Sequence, residues 1–123
     1  EEALAEIFRG VIEGQELAVV STLALLEVQT GAHRRRDLAL ARRYEDLFLH
    51  TTGIVVLPVD AAIAAEAARI RVRYALTTAD AIHVATALVA GAPVFLTTDR
   101  RLSRVRELDV HVIAAKARPT KRR

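Results

Sequence analysis

The chain has 123 residues, 52% hydrophobic and 27% charged, with a net charge of +3, the size and balance of a single globular domain and not of a disordered segment. It contains no cysteine, which excludes disulfides, zinc–thiolate sites and thiol catalysis and leaves oxygen or imidazole to hold any metal, a preference for Mg²⁺ or Mn²⁺. No apolar run approaches the ~20 residues that span a bilayer and the opening is acidic, so the sequence predicts a soluble, cytoplasmic protein with no secretory leader and no membrane partner.

In chain order, residues 2–13 read as a helix with Leu4, Ile7, Phe8 and Val11 on one face, ended by Gly14. Residues 17–20 form a short buried strand. Ser21 or Thr22 caps a helix to Thr30 that stops at Gly31. A further helix runs from Asp37 to about Leu49, with Leu40, Tyr44, Leu47 and Phe48 inward. Residues 54–57 give a second strand, closed by Pro58, and Asp60 caps an Ala-rich helix through about Tyr74. Thr78 caps the next helix, which Gly91-Ala92-Pro93 breaks. Residues 94–97 are a third strand, residues 100–107 a short helix, and residues 110–113 a last strand. Apolar strands alternating with helices predict an α/β fold: a three-layer α/β/α sandwich with a central parallel sheet. Residues 1–115 make one domain, and residues 116–123 a basic tail.

Charge is unevenly spread. Residues 1–16 carry five Glu against one Arg, whereas basic residues gather at Arg34-Arg35-Arg36, Arg42-Arg43, Arg69-Arg71-Arg73, Arg100-Arg101-Arg104-Arg106 and in the tail. Sixteen of the eighteen basic residues are Arg, the side chain that forks onto phosphate, so a polyanionic partner is expected although each cluster alone would suit a solvated helix face.

Three acids stand where charge is otherwise absent. Glu27 is the sole formal charge between Leu17 and Ala32, Asp80 the sole one between Ala75 and Thr98, and Asp99 follows the third strand. A carboxylate in apolar surroundings is costly unless a cation or hydrogen bonds compensate it, so the three suggest a shared cation. Each also has a plainer role: Glu27, which on the face of Leu23 and Thr30 can point inward, as a partly exposed helix acid, Asp80 as a first-turn residue favoured by the helix dipole, Asp99 as a helix N-cap. His83, three residues beyond Asp80, shares its face and can touch the site or simply pack. His33, His50 and His111 show no ligand spacing. Ser103 lacks partners for a hydrolase triad, and the glycines make no phosphate loop.

The stretch Leu76-Thr77-Thr78-Ala79-Asp80-Ala81-Ile82-His83-Val84-Ala85-Thr86-Ala87-Leu88, followed by Val94-Phe95-Leu96-Thr97-Thr98-Asp99-Arg100-Arg101-Leu102, resembles the C-terminal half of PIN domains, especially VapC-type toxins of toxin–antitoxin pairs. Ser21-Thr22-Leu23-Ala24-Leu25-Leu26-Glu27-Val28 is similar to that family's second helix with its metal-binding Glu. The resemblance spans roughly residues 2–113. It implies an endoribonuclease that uses Mg²⁺ or Mn²⁺ held by Glu27, Asp80 and Asp99 to activate water against RNA, leaving a 5′-phosphate and a 3′-hydroxyl. Thr97, Thr98, Arg34, Arg35, Arg36, Arg100 and Arg101 are then expected to meet the substrate. Partners would be RNA and a cognate antitoxin, with room for a homodimer. The family opens on a strand ending in an Asp that no residue here matches. With no Met in the sequence, an upstream segment is expected and the chain alone should cleave poorly. The rival reading is a non-catalytic PIN-like module that binds RNA or protein; a response-regulator-like acceptor is disfavoured because Lys116 and Lys121 lie only in the tail.

Overall fold

Every helix of the core starts where a short polar side chain can satisfy its first amides. The computed structural model describes residues 17–97 and 99–112; the helix expected at 2–13, Thr98, Ile113 and the basic tail lie outside them. Strand β1 (Ala18–Ser21) leads directly into helix α1 (Thr22–Arg34), and the Ser21 hydroxyl accepts from Leu23 N at 3.1 Å. That bond is why a serine can be buried at 1% exposure without the penalty of an unpaired polar group. Asp37 caps α2 (Leu38–His50) by accepting from Leu40 N at 3.0 Å, and Asp60 caps α3 (Ala61–Tyr74) by accepting from Ile63 N at 3.0 Å. Thr77, one residue earlier than expected, caps α4 (Thr78–Ala90).

Between these helices run β2 (Ile54–Leu57), β3 (Phe95–Thr97), a single 3₁₀ turn (Arg100–Arg104) and β4 (Val110–Val112). β1 pairs with β2 in parallel, Ala18 opposite Ile54 and Ser21 opposite Leu57, and β3 pairs in parallel with β4. Parallel neighbours require crossovers, supplied by α1–α2 in the first pair and by the 3₁₀ turn in the second. The expected α/β sandwich with parallel strands therefore forms, and among the described residues its strands hydrogen-bond as two pairs.

Two apolar clusters hold it together. Ile63, Ala67 and Ile70 of α3 meet Ala81, Val84 and Ala85 of α4, closed by Leu76, Leu102 and Val105. The alanines let α3 and α4 lie close along their lengths. The second cluster sets Phe48 and Ile54 against Val20, Leu25, Val28, Tyr44 and Leu47. α4 touches both β1 and α1 as well as α3, so its residues are placed from three sides.

Other boundaries also differ from expectation. α1 continues through Gly31 to Arg34, because Gly31 tolerates helical backbone and Ala32 behind it is 2% exposed against the core. The stop comes at Arg36, whose φ of 58° breaks the helix just before the Asp37 cap. Residues 100–107 do not make an α-helix: Asp99 O accepts from Leu102 N and Leu102 O from Val105 N, both at 3.1 Å, the i→i+3 pattern of a tight 3₁₀ turn. Residue 94 stays outside β3, which begins at Phe95, where Phe95 N donates to Asp109 O at 2.9 Å.

Candidate acidic site

α4 organises the acids. Asp80 sits half-buried in its first turn, with its amide donating to Thr77 Oγ1 at 3.1 Å. One turn on, His83 Nε2 lies 2.9 Å from Glu27 Oε1. Of the two placements its position allowed, Glu27 takes that of a partly exposed helix acid. α1 turns Ala24, Leu25 and Val28 to the apolar cluster, which leaves Glu27 on the flank, 46% exposed, facing α4. The helical spacing of three that put His83 beside Asp80 was the signal for this contact, and the packing role weighed for His83 gives way to a polar one.

Asp99 is the cap of the 3₁₀ turn, one of the two roles its position allowed. Its Oδ1 accepts from Arg101 N at 2.9 Å and from Arg101 Nε at 3.0 Å, and its Oδ2 accepts from Arg101 Nη2 at 2.7 Å. The forked guanidinium, with the Arg101 amide behind it, pulls the Asp99 carboxyl down to about 2. The same pairing pushes Arg101 further towards its charged form, and the Asp80 carboxylate adds to that push from the side. Thr97 shapes this turn: its hydroxyl oxygen accepts from Asp99 N at 3.0 Å.

Two of the acids thus have a side-chain partner, Glu27 in His83 and Asp99 in Arg101, while Asp80 acts on Arg101 only through its charge. The donors suit a hard divalent ion in kind, being carboxylates and one imidazole with no sulfur. They do not close around one as they stand. Among the described residues no three His, Asp or Glu side chains are grouped tightly enough to hold a metal.

The arginines divide by what already occupies them. Arg69 Nη2 reaches Glu66 Oε2 and Glu107 Oε1, each at 2.6 Å, and the Tyr74 hydroxyl donates to Glu107 at 3.1 Å. These pairings hold both Glu66 and Glu107 below the usual carboxylate range. Arg73 lies 3.7 Å from Glu107 and 5.5 Å over the Tyr74 ring. Arg104 donates to the Tyr74 and Ala75 carbonyls at 2.7–3.2 Å, where Ala75 ends α3 with a φ of 54°. Two clusters expected to serve a polyanion are therefore partly spent on tying α3 to the turn that carries Asp99. Arg34, Arg35, Arg36 and Arg100 are exposed. His50 and His111 make exposed pairs with Asp46 and Asp109, and His33 lines a shallow groove of about 370 Å³ with Thr22, Leu25, Leu26, Gln29 and Thr30, which includes none of the three acids. No helix among the described residues is long and apolar enough to cross a membrane.

The class these features define is an α/β domain with one acid on each of α1 and α4 and a third in the turn beyond the third strand. The family model of the PIN domain matches residues 1–108, and the chain belongs to that family. Among solved structures it is similar to a chain of VapBC2 from Rickettsia felis bound to a DNA fragment from their promoter, at 14% identity and a TM-score of 0.69, covering 91% of this chain and 86% of that one. A toxin–antitoxin complex from Klebsiella pneumoniae gives 20% identity and a TM-score of 0.56, over 76% and 73%. At these identities the likeness is one of fold. No curated protein matches by sequence.

Proposed function

We propose that this chain is a metal-dependent endoribonuclease of the PIN type, the toxin of a toxin–antitoxin pair, with RNA and a cognate antitoxin as its partners. The observation that carries the reading is membership of the PIN family over residues 1–108; the pairing of Glu27 with His83 and of Asp99 with Arg101 supports it. That a solved structure of similar fold is a toxin–antitoxin complex supports the antitoxin.

Glu27, Asp80 and Asp99 would hold Mg²⁺ or Mn²⁺. When bound, the ion supplies a water of lowered pKa and offsets charge on the leaving oxygen. The chain's own residues do the positioning. His83 holds Glu27 Oε1 in place, Thr77 caps the first turn of α4 by accepting from the Asp80 amide, and Thr97 fixes the turn that presents Asp99. Thr98 and the exposed Arg34, Arg35, Arg36 and Arg100 would meet the RNA backbone by charge, without reading sequence. One P–O bond breaks as water adds, leaving a 5′-phosphate and a 3′-hydroxyl.

The test is a labelled single-stranded RNA incubated with Mg²⁺ or Mn²⁺, with products resolved on gels and binding measured at two salt concentrations. Cleavage lost in Asp80→Asn with salt-sensitive binding retained is the expected result. Full cleavage by Asp80→Asn would remove Asp80 from the mechanism. Binding without cleavage in the wild type would instead favour the second reading, a non-catalytic PIN-like module, for which the absence of a closed three-ligand group among the described residues is the specific support.

A further inference from the structure

The acids fail to close around an ion for an identifiable reason: Asp99 already has a cation. Among the described residues its side-chain bonds go to one residue, Arg101, which forks onto both carboxylate oxygens at 2.7 and 3.0 Å and adds its backbone amide. The guanidinium also feels the charge of Asp80. We propose that Arg101 is the resident counter-cation of this site, competing with the divalent ion for Asp99, so that ion binding and the Arg101–Asp99 fork exclude one another. The proposal rests on the metal-site reading given above.

The magnitudes make the exchange feasible in both directions. Arg101 is 76% exposed at its side chain and Asp99 30%; an ion pair so open to water is weak and is screened by salt. A divalent ion bound by Asp80 and Glu27 as well as Asp99 can therefore displace it. With no ion present, the fork neutralises the Asp99 carboxylate through side-chain bonds alone. The Arg101 side chain is long and its turn is anchored independently by Leu102, buried at 4% exposure, and Val105, at 1%. Releasing the guanidinium thus leaves the turn standing. The backbone amide of Arg101 can stay on Asp99, since a carboxylate has lone pairs for both.

The experiment is a Mn²⁺ titration of the whole chain, read by the electron paramagnetic resonance of free Mn²⁺, for the wild type, Arg101→Ala, Arg101→Lys and Asp80→Asn. A parallel Mg²⁺ titration follows the Arg101 Nε–H resonance by NMR. Arg101→Ala should bind Mn²⁺ about three- to fivefold more tightly, the scale of an exposed ion pair. Arg101→Lys should fall between, keeping the charge and losing the fork. The Nε–H signal should shift and exchange faster as Mg²⁺ is added. Unchanged or weaker Mn²⁺ binding in Arg101→Ala, with Asp80→Asn still abolishing it, overturns this proposal and leaves the metal reading intact. Mn²⁺ binding that is absent throughout, or indifferent to Asp80→Asn, overturns both. Circular dichroism of each variant confirms that the fold is kept, and the NMR shift in the wild type decides the question without any variant.

Discussion

Ile70 and Val72 are two residues apart on α3, and their fates under truncation should differ by several kcal/mol. Ile70 is 0% exposed and Val72 82% exposed. Ile70→Ala removes three carbons from the cluster that holds α3 against α4. At roughly 0.8 kcal/mol per buried methylene the transfer loss alone is about 2.4 kcal/mol. The cavity left behind adds to it, because Val84 and Ala85, both 0% exposed, are backed by β1 and α1 and cannot collapse inward freely. A total of about 3–4 kcal/mol follows, within the range for Ile→Ala in packed cores. Val72→Ala should cost less than about 0.5 kcal/mol, as surface substitutions do. Urea unfolding followed by circular dichroism at 222 nm measures both, with the slope of the transition checked for constancy. A loss under about 1 kcal/mol for Ile70→Ala, or equal losses for the two variants, would mean that the α3–α4 seam is not the core described here.

The other expected outcomes concern the caps and the acids. Ala75→Gly should stabilise the fold by about 0.5–1 kcal/mol, since Ala75 holds a left-handed conformation at φ 54° that costs an alanine more than a glycine; a thermal melt that falls would refute this. Thr77→Ala should cost about 1 kcal/mol by removing the α4 cap, and Thr77→Ser should restore most of it. In a ¹³C NMR titration Asp99 should stay ionised to about pH 2 and move back towards the ordinary range in Arg101→Ala. The sign follows: a carboxyl whose folded pKa is depressed contributes stability above its unfolded pKa, near 4, and loses it as pH falls towards 2. His83→Ala should loosen Mn²⁺ about threefold while His83→Gln, which can still donate to Glu27, stays near the wild type; equal losses would make His83 a packing residue only.

The fold was legible where pattern and punctuation agreed. Asp60 caps the helix it was expected to cap, the helix expected from Asp37 starts at the residue after it, and residues 54–57 form the strand bounded by Pro58. Punctuation misled where tertiary packing outweighed it. Gly31 reads as a stop, yet Ala32 and the residues after it gain enough from the helix to carry it another turn. Residues 100–107 carry helical periodicity, but Asp99 closes the turn onto Arg101 and Leu102 first, and a 3₁₀ pattern once started leaves no room for an i→i−4 ladder in so short a segment.

At the site, sequence showed which residues are chemically unusual but not which of them face each other. Glu27, Asp80 and Asp99 stand out because their neighbours are apolar, and that signal needs no structure. Their partners do need it, since Glu27 and His83 are brought together by α1 lying across α4, a contact 56 residues apart. Counting arginines likewise overstates the free positive charge. Arg69, Arg73, Arg101 and Arg104 look in sequence like members of phosphate-binding clusters, and in the fold each is engaged with a carboxylate, a ring or carbonyls of its own chain. The engagements converge on one place: Arg69 and Tyr74 hold Glu107, Arg104 holds the end of α3, and Arg101 holds Asp99. The segment carrying Asp99 is therefore fixed from both sides by arginine. The basic composition that first suggests a nucleic-acid partner thus does much of its work inside the domain, setting the position and the ionisation of the acid on which the proposed chemistry depends.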